Sequence, residues 1–256
     1  MSRYLDLLAR SVLGELDPEE DLTLIADGRF AGDRIENAGR RQTMIGRKRL
    51  ENVWRCLDSV LHDRIPGDLI ECGVWRGGAV IFMRGYLAAH DVTDRIVWAA
   101  DSFRGCPKPR LPQDTPEDLS ADACPSLAVS LDRVRDLFVR YGLLDDRVRF
   151  LPGWFADTLA RAPIDRLALL RVDADLYEST LDVLDALYEK VSPGGFVIVD
   201  DYGCIPACRE AVNDFRAARH IREPLEIIDW TGVFWRREAR PRRPRGHSRS
   251  GRVQLA

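Results

Sequence analysis

Lysine is scarce: Lys48, Lys108 and Lys190 stand alone among 38 basic residues of a 256-residue chain, and every other one is arginine. No apolar run approaches the roughly 18 residues that a membrane-spanning helix needs. The opening Met1-Ser2-Arg3-Tyr4-Leu5-Asp6 lacks the charged-then-apolar order of a signal peptide. Both absences predict a cytoplasmic protein without a membrane partner. The cysteines, Cys56, Cys72, Cys106, Cys124, Cys204 and Cys208, contain no C-x-x-C pair, so the common zinc ribbons are absent, and a disulfide framework is unusual in a chain this large without a signal peptide. Cys204 and Cys208, four apart with no histidine near them in sequence, read as thiols rather than metal ligands. Neither G-x-G-x-x-G nor G-K-[ST] occurs, so the usual dinucleotide and P-loop cradles are absent. Histidine is confined to His62, His90, His220 and His247, none of which falls in a motif.

What is present is the composition of a soluble globular chain, 45% hydrophobic and 31% charged, long enough for one large α/β domain or two small ones. The formal net charge of -3 conceals an asymmetry. Residues 236–256 carry eight Arg against the single Glu238, leaving 30 basic and 40 acidic side chains in residues 1–235. The body is acidic and the tail basic. The tail, 237–256, is rich in Arg, Pro, Gly and Ser and is expected to be a disordered, solubilising extension rather than a nucleic-acid-binding arm.

Residues 3–14 and 46–64 read as helices. In the second, Leu50, Val53, Trp54, Leu57, Val60 and Leu61 recur at helical spacing with charges opposite. Residues 15–45, without clean periodicity, read as a segment that closes over a site, and residues 1–66 together as a helical extension. From residue 67 the rhythm changes. Short apolar runs at 69–72, 96–100, 148–151, 167–172 and 196–199 alternate with amphipathic stretches near 77–90, 130–141, 154–160, 176–191 and 206–219. That alternation predicts a doubly wound α/β domain over 67–236, a parallel sheet covered on both faces. Residues 225–228 and 232–235, around a short turn, predict a C-terminal antiparallel hairpin. The Pro- and Asp-rich stretch 104–127 is long enough to be a binding loop.

Ligands of open α/β sheets bind at the carboxyl ends of the strands. The first strand ends in Glu71-Cys72-Gly73-Val74-Trp75-Arg76-Gly77-Gly78. Its glycines permit close approach to the backbone, and an acid before the first glycine suits an ammonium group better than a phosphate. Asp101 closes the second strand, where a carboxylate can take both ribose hydroxyls or cap the next segment. Glu71 and Asp101 together fit a nucleoside linked to an amino acid, S-adenosylmethionine, better than NAD. Trp75 and Trp154 follow strand ends and can stack on adenine or pack inward. The fourth strand runs into Arg171-Val172-Asp173-Ala174-Asp175, and the fifth, after the turn Ser192-Pro193-Gly194-Gly195, into Asp200-Asp201. Adjacent strands would bring four carboxylates to one edge, and the flanking motifs hold too few Lys or Arg to pair them. A hard divalent cation such as Mg²⁺ resolves that repulsion. The plainer reading, in which Asp175 and Asp201 cap helices and the others bind water, explains two acidic pairs at successive strand ends less well.

These motifs, with Thr43-Met44-Ile45-Gly46, Ala100-Asp101-Ser102-Phe103, Arg140-Tyr141-Gly142, Phe150-Leu151-Pro152-Gly153-Trp154-Phe155 and Ile205-Pro206-Ala207-Cys208, resemble the macrocin O-methyltransferase family over about residues 40–236. One departure is Ala174, where the family commonly has Gly. The resemblance implies a Rossmann-like class I methyltransferase sheet, and Mg²⁺- and S-adenosylmethionine-dependent methylation of a deoxysugar hydroxyl on an antibiotic. It implies that Asp173, Asp200 and Asp201 hold the metal, with Asp173 also as general base and Asp175 beside them. It implies that Glu71, Gly73, Asp101 and Ser102 bind the cofactor, with backbone groups near Met44, Val74, Trp75, Trp154 and Phe155, and that the enzyme is a homo-oligomer. Three other readings stay open here: a phenol or catechol acceptor, a nicotinamide-dependent oxidoreductase, and a non-catalytic protein on the same fold.

Overall fold

The structure, a computed structural model, describes residues 3–16, 41–116 and 118–238. Residues 17–40 of the expected closing segment 15–45 and the tail from 239 onward lie outside the described residues.

Seven strands form one sheet in the order β3-β2-β1-β4-β5-β7-β6. The first five, β1 (Asp68–Cys72), β2 (Val97–Asp101), β3 (Val148–Pro152), β4 (Leu167–Val172) and β5 (Val191–Val199), pair in parallel. The hairpin β6 (Glu226–Ile227) and β7 (Val233–Arg236) follows antiparallel, with β7 against β5 and the two-residue β6 at the edge. Helices α1 (Arg3–Val12), α2 (Gly46–His62) and α3 (Gly78–Ala89) gather with α4 (Leu131–Arg140) on one face. The short α5 (Phe155–Thr158), α6 (Tyr177–Leu187) and α7 (Pro206–Ala218) cover the other.

The two-residue period of a strand sorts the core. Leu69, Val97, Ala99, Leu169, Phe196 and Ile198 face α1–α3. Ile70, Cys72, Trp98, Leu170, Val172, Val197 and Val199 face α6 and α7. The strands are apolar on both sides because both sides are covered, as parallel sheets require. The N-terminal helices belong to this core, since Leu5, Leu8 and Val12 of α1 and Leu50, Val53 and Leu57 of α2 are buried in it. Among the described residues no helix is long and apolar enough to cross a membrane.

The structure corrects three expectations. The fifth strand starts at Val191, five residues earlier than its apolar run; Ser192–Gly195 lies inside it as an irregularity, with Gly194 at φ 86° and the β4 register slipping between Leu167 and Leu169. The predicted helix at 176–191 ends in a 3-10 turn, Tyr188–Lys190. The expected tail starts too early as well. Arg237 is buried, and its guanidinium donates to the carbonyls of Tyr188 (3.0 Å) and Glu189 (2.9 Å), so the ordered body reaches past β7.

β1 and β4 touch backbone to backbone beyond their last paired residues. Gly73, at φ 89°, leaves the β1 end so close that a Cβ there would meet the carbonyl oxygen of Asp173 at 1.7 Å. Gly73→Ala is therefore expected to cost at least about 3 kcal/mol, read as a fall in the urea midpoint. A loss under about 1 kcal/mol would show that the two turns do not abut.

Candidate active site

The carboxyl edge of the sheet opens into a cavity of about 570 Å³. One end is built from the β1 and β2 ends. Gly73 and Trp75 of the β1–α3 turn, Asp101 and Ser102 after β2, Trp154 and Phe155 after β3, and Met44 before α2 all line it. The Asp101 carboxylate is held by backbone: Oδ2 accepts from the N–H of Val74 (2.7 Å) and Oδ1 from that of Phe103 (2.7 Å). Desolvation by burial pushes its pKa up, against those hydrogen bonds. Asp101 thus does cap the neighbouring turns, and it also faces the cavity; its other two donors, the Trp75 amide and the Ser102 hydroxyl, are long at 3.4 Å. Trp154 lines the cavity and is 39% exposed, whereas Trp75 is 8% exposed and donates its indole N–H to the Ser126 carbonyl at 3.0 Å.

Two expectations about this end change. Val74 and Glu71 are not on the cavity wall. Val74 contributes its amide to Asp101, and Glu71 is turned inward, its Oε1 accepting from Arg171 Nη1 at 2.5 Å. The glycine pair Gly77-Gly78 makes room for protein rather than ligand. A Cβ on Gly78 would meet the Gln42 carbonyl oxygen at 2.5 Å, and the Gly78 amide donates to that oxygen at 2.8 Å.

The other end is acidic. Asp173, Asp175, Asp200 and Asp201 all line the cavity, brought side by side by the β4–β5 pairing. Ligand oxygens of Asp173, Asp200 and Asp201 lie within 4.8 Å of one another. Oxygens around one Mg²⁺ at about 2.1 Å are at most about 4.2 Å apart, so this hard-oxygen set fits such an ion after small side-chain movements. Asp175 stands just outside the three, at φ 57° in the left-handed region. Its Oδ2 accepts the Cys106 thiol at 3.5 Å, and its amide donates to Asp201 Oδ2 at 3.3 Å. Burial raises the pKa of Asp173, with Asp200 adding to it, and pushes Asp175 up to about 7, with Asp173 adding. Burial, then Asp175, holds Asp201 well above the usual carboxylate range.

Two arginines give this acidic set internal counter-charge, fewer than the carboxylates present, and one of them, Arg49, comes from outside the flanking motifs. Arg171, 0% exposed, donates through Nη1 to Glu71 and to Asp173 Oδ2 (2.7 Å), and through Nη2 to Asp200 Oδ1. Arg49 reaches in from α2, donating to Asp200 Oδ2 and to the Met44 carbonyl (3.3 Å), with its Nε 3.2 Å from Asp229. Only Arg171 was legible in part. Arg171 stands in an otherwise apolar strand, two residues before Asp173 and hence on the same side, and directly across from Glu71 in the β1–β4 register. Arg49 carries no comparable signal, because a polar residue on an amphipathic helix ordinarily faces water. His62, His90 and His220 do not line the cavity, and His247 lies outside the described residues.

A parallel five-stranded sheet closed by an antiparallel hairpin, with a cavity running from the β1 turn to the acidic β4 and β5 ends, is the Rossmann-like fold of class I O-methyltransferases. Known proteins narrow this further. The macrocin-O-methyltransferase family model matches residues 25–237, and the chain belongs to that family. It is 50% identical to mycinamicin III 3''-O-methyltransferase of Micromonospora griseorubida, over 92% of this chain and 96% of the relative. It is 55% identical to 8-demethyl-8-(2,3-dimethoxy-alpha-L-rhamnosyl)-tetracenomycin-C 4'-O-methyltransferase of Streptomyces olivaceus, over 77% and 76%. The solved O-methyltransferase NovP superposes with a TM-score of 0.83 at 50% identity, covering 92% of this chain and 98% of that one.

Glu71 offers a test of the charge arrangement. Burial, outweighing the pull of Arg171, pushes its pKa up to about 8 from an ordinary 4.5. A carboxyl whose folded value is raised binds its proton more tightly when folded, so its contribution to stability is complete below about 4.5 and is lost as pH rises through 8. Metal-free protein is expected to lose thermal stability between pH 5 and 8.5, and Glu71→Gln to flatten that decline. Identical slopes for the two proteins would refute the assignment.

Proposed function

We propose that the chain transfers a methyl group from S-adenosylmethionine to a deoxysugar hydroxyl on a glycosylated natural product, with Mg²⁺ held by Asp173, Asp200 and Asp201. The observation that carries this reading is the continuity of one cavity from the Gly73–Asp101 end to the Asp173–Asp201 end. One relative names a rhamnosyl group in its acceptor, and that favours a sugar hydroxyl over a phenol or catechol. The lack of a G-x-G-x-x-G turn at β1 disfavours a nicotinamide coenzyme.

In this reading Gly73, Asp101, Ser102, Trp154, Phe155 and Met44 surround the donor, with Trp75 packed beneath. Val74 acts by fixing Asp101, and Glu71 by fixing Arg171. The donor supplies a methyl group already activated on a sulfonium, and the cation supplies Lewis acidity that makes a weakly acidic hydroxyl easier to deprotonate. The protein must then accept a proton and align the oxygen. The sequence gives Asp173 both metal and base roles, but the geometry favours dividing them. Asp173 Oδ2 is bonded to Arg171 and the residue belongs to the three-carboxylate group; a carboxylate facing two cations is a weak base. Asp175 faces the same cavity, outside that group, and is the better-placed proton acceptor.

The reading extends to the whole chain: residues 67–238 are the catalytic domain, 1–66 its helical extension and 239–256 a dispensable tail, in a cytoplasmic homo-oligomer. Deleting residues 240–256 is expected to leave methyl transfer unchanged.

Mass-spectrometric detection of methyl transfer across deoxysugar glycosides and catechols tests the acceptor class; transfer to catechols alone would overturn it. Calorimetric titration is expected to show binding of S-adenosylhomocysteine and none of NAD. Excess EDTA is expected to abolish turnover and added Mg²⁺ to restore it, so full activity in chelator would remove the cation from the mechanism. Asp201→Asn is expected to weaken Mg²⁺ or Mn²⁺ binding at least tenfold. Asp175→Asn is expected to lower kcat by about 10²- to 10⁴-fold while metal affinity stays within a few-fold. Near-normal kcat in Asp175→Asn would return the base role to Asp173.

A further inference from the structure

Helix α6 starts two residues after Asp175 and carries Glu178, Ser179 and Asp182 into the cavity wall. Its cap position is Leu176, which has no side-chain acceptor for the first amides of the helix. Those amides are met from far away in the chain. Asp114, in the loop between β2 and α4, accepts from Tyr177 N–H through Oδ1 at 2.5 Å and from Glu178 N–H through Oδ2 at 3.2 Å. Asp114 is 1% exposed. A buried carboxylate is stable only where donors or opposite charge meet it, and a helix N-terminus supplies both, through its orphan N–H groups and the positive end of its dipole.

The same loop is a wall of the cavity, through Gly105, Cys106, Pro107, Lys108, Arg110 and Leu119. Its other ties to the acidic end are weaker. Arg110 grips Glu178 through two hydrogen bonds (2.7 and 3.1 Å), but Arg110 is 70% exposed and the pair is screened by solvent, and the Cys106 thiol is a poor donor to Asp175. Asp114 is thus the buried tie that joins the loop to α6.

We propose that Asp114 is a positioning residue for the acceptor: by capping α6 from the loop it docks the loop as the acceptor-side wall and sets the helix start that aims Asp175 and Glu178. This rests on the reading that the acceptor occupies the Asp173–Asp175 end. The cap acts at one end of the cavity, so its loss should leave the donor end intact.

The test uses the full chain with Asp114→Ala and Asp114→Asn, the latter keeping the side-chain volume and one carbonyl acceptor. The first readout needs no substrate. Amide exchange at Tyr177 and Glu178 and iodoacetamide labelling of Cys106 are expected to rise about tenfold in Asp114→Ala, about 1.4 kcal/mol of opening, and less in Asp114→Asn. The buried Cys208 of α7 should be unchanged. The second readout is kinetic: the acceptor KM is expected to rise about tenfold in Asp114→Ala, with S-adenosylhomocysteine Kd within twofold. Wild-type exchange and labelling in both variants would overturn the proposal. So would a rise at Cys208 or in the S-adenosylhomocysteine Kd that matches the rise at Cys106, since that marks general loosening. Faster Cys106 labelling with an unaltered acceptor KM would overturn the positioning role. No transfer to any glycoside by the unmodified enzyme would instead sink the acceptor reading.

Discussion

Arg171 donates to Glu71 on β1, to Asp173 beyond β4 and to Asp200 beyond β5, so one delocalised cation ties together three neighbouring strands at the edge where the cavity opens. A lysine could not replace it, since a compact ammonium lacks the planar fork that reaches several carboxylates at fixed angles. The arrangement also explains how a crowd of acids persists in a sheet edge. Glu71, Asp173, Asp200 and Asp229 pair with two guanidiniums, those of Arg171 and Arg49, while Asp175 and Asp201 share the same cavity. The remaining negative charge is what an added cation would find. The cluster is therefore over-charged by design of the fold rather than by accident of exposure, and its strain is concentrated where chemistry is expected.

How much of this was legible in sequence depends on whether the signal was local. The alternation of apolar runs with amphipathic stretches is local, and it yielded the sheet, its helices and the hairpin. The acidic pairs at 173/175 and 200/201 were visible because they interrupt strands that are otherwise apolar. Tertiary pairing hid the rest. Glu71 looked like a ligand contact because it precedes a glycine turn, yet its partner is Arg171, a hundred residues away. Gly78 looked like a ligand-approach glycine, yet it makes room for the Gln42 carbonyl. The start of β5 was missed because Pro193 and Gly194 are turn-formers, and only the register shift against β4 accommodates them in a strand.

The loop after β2 illustrates the same limit from the other side. Its Pro- and Asp-rich composition says little beyond irregular backbone. Which of its acids is structural is decided by burial and by the amides that an uncapped helix presents, neither of which is written locally. Asp114 lies inside the protein while Asp118 and Asp122 in the same loop are exposed, though the three are of one residue type within nine positions.

The contact of Gly73 with the Asp173 backbone has a metrological consequence. Neighbouring strands of a sheet stand about 4.8 Å apart, and the Gly73 turn leaves β1 while the acidic turn leaves the adjoining β4. The offset between the two halves of the cavity is then inherited from the lateral repeat of the sheet, the stiffest ruler a protein possesses. Loops and helix ends can reshape the walls of each half without altering that spacing.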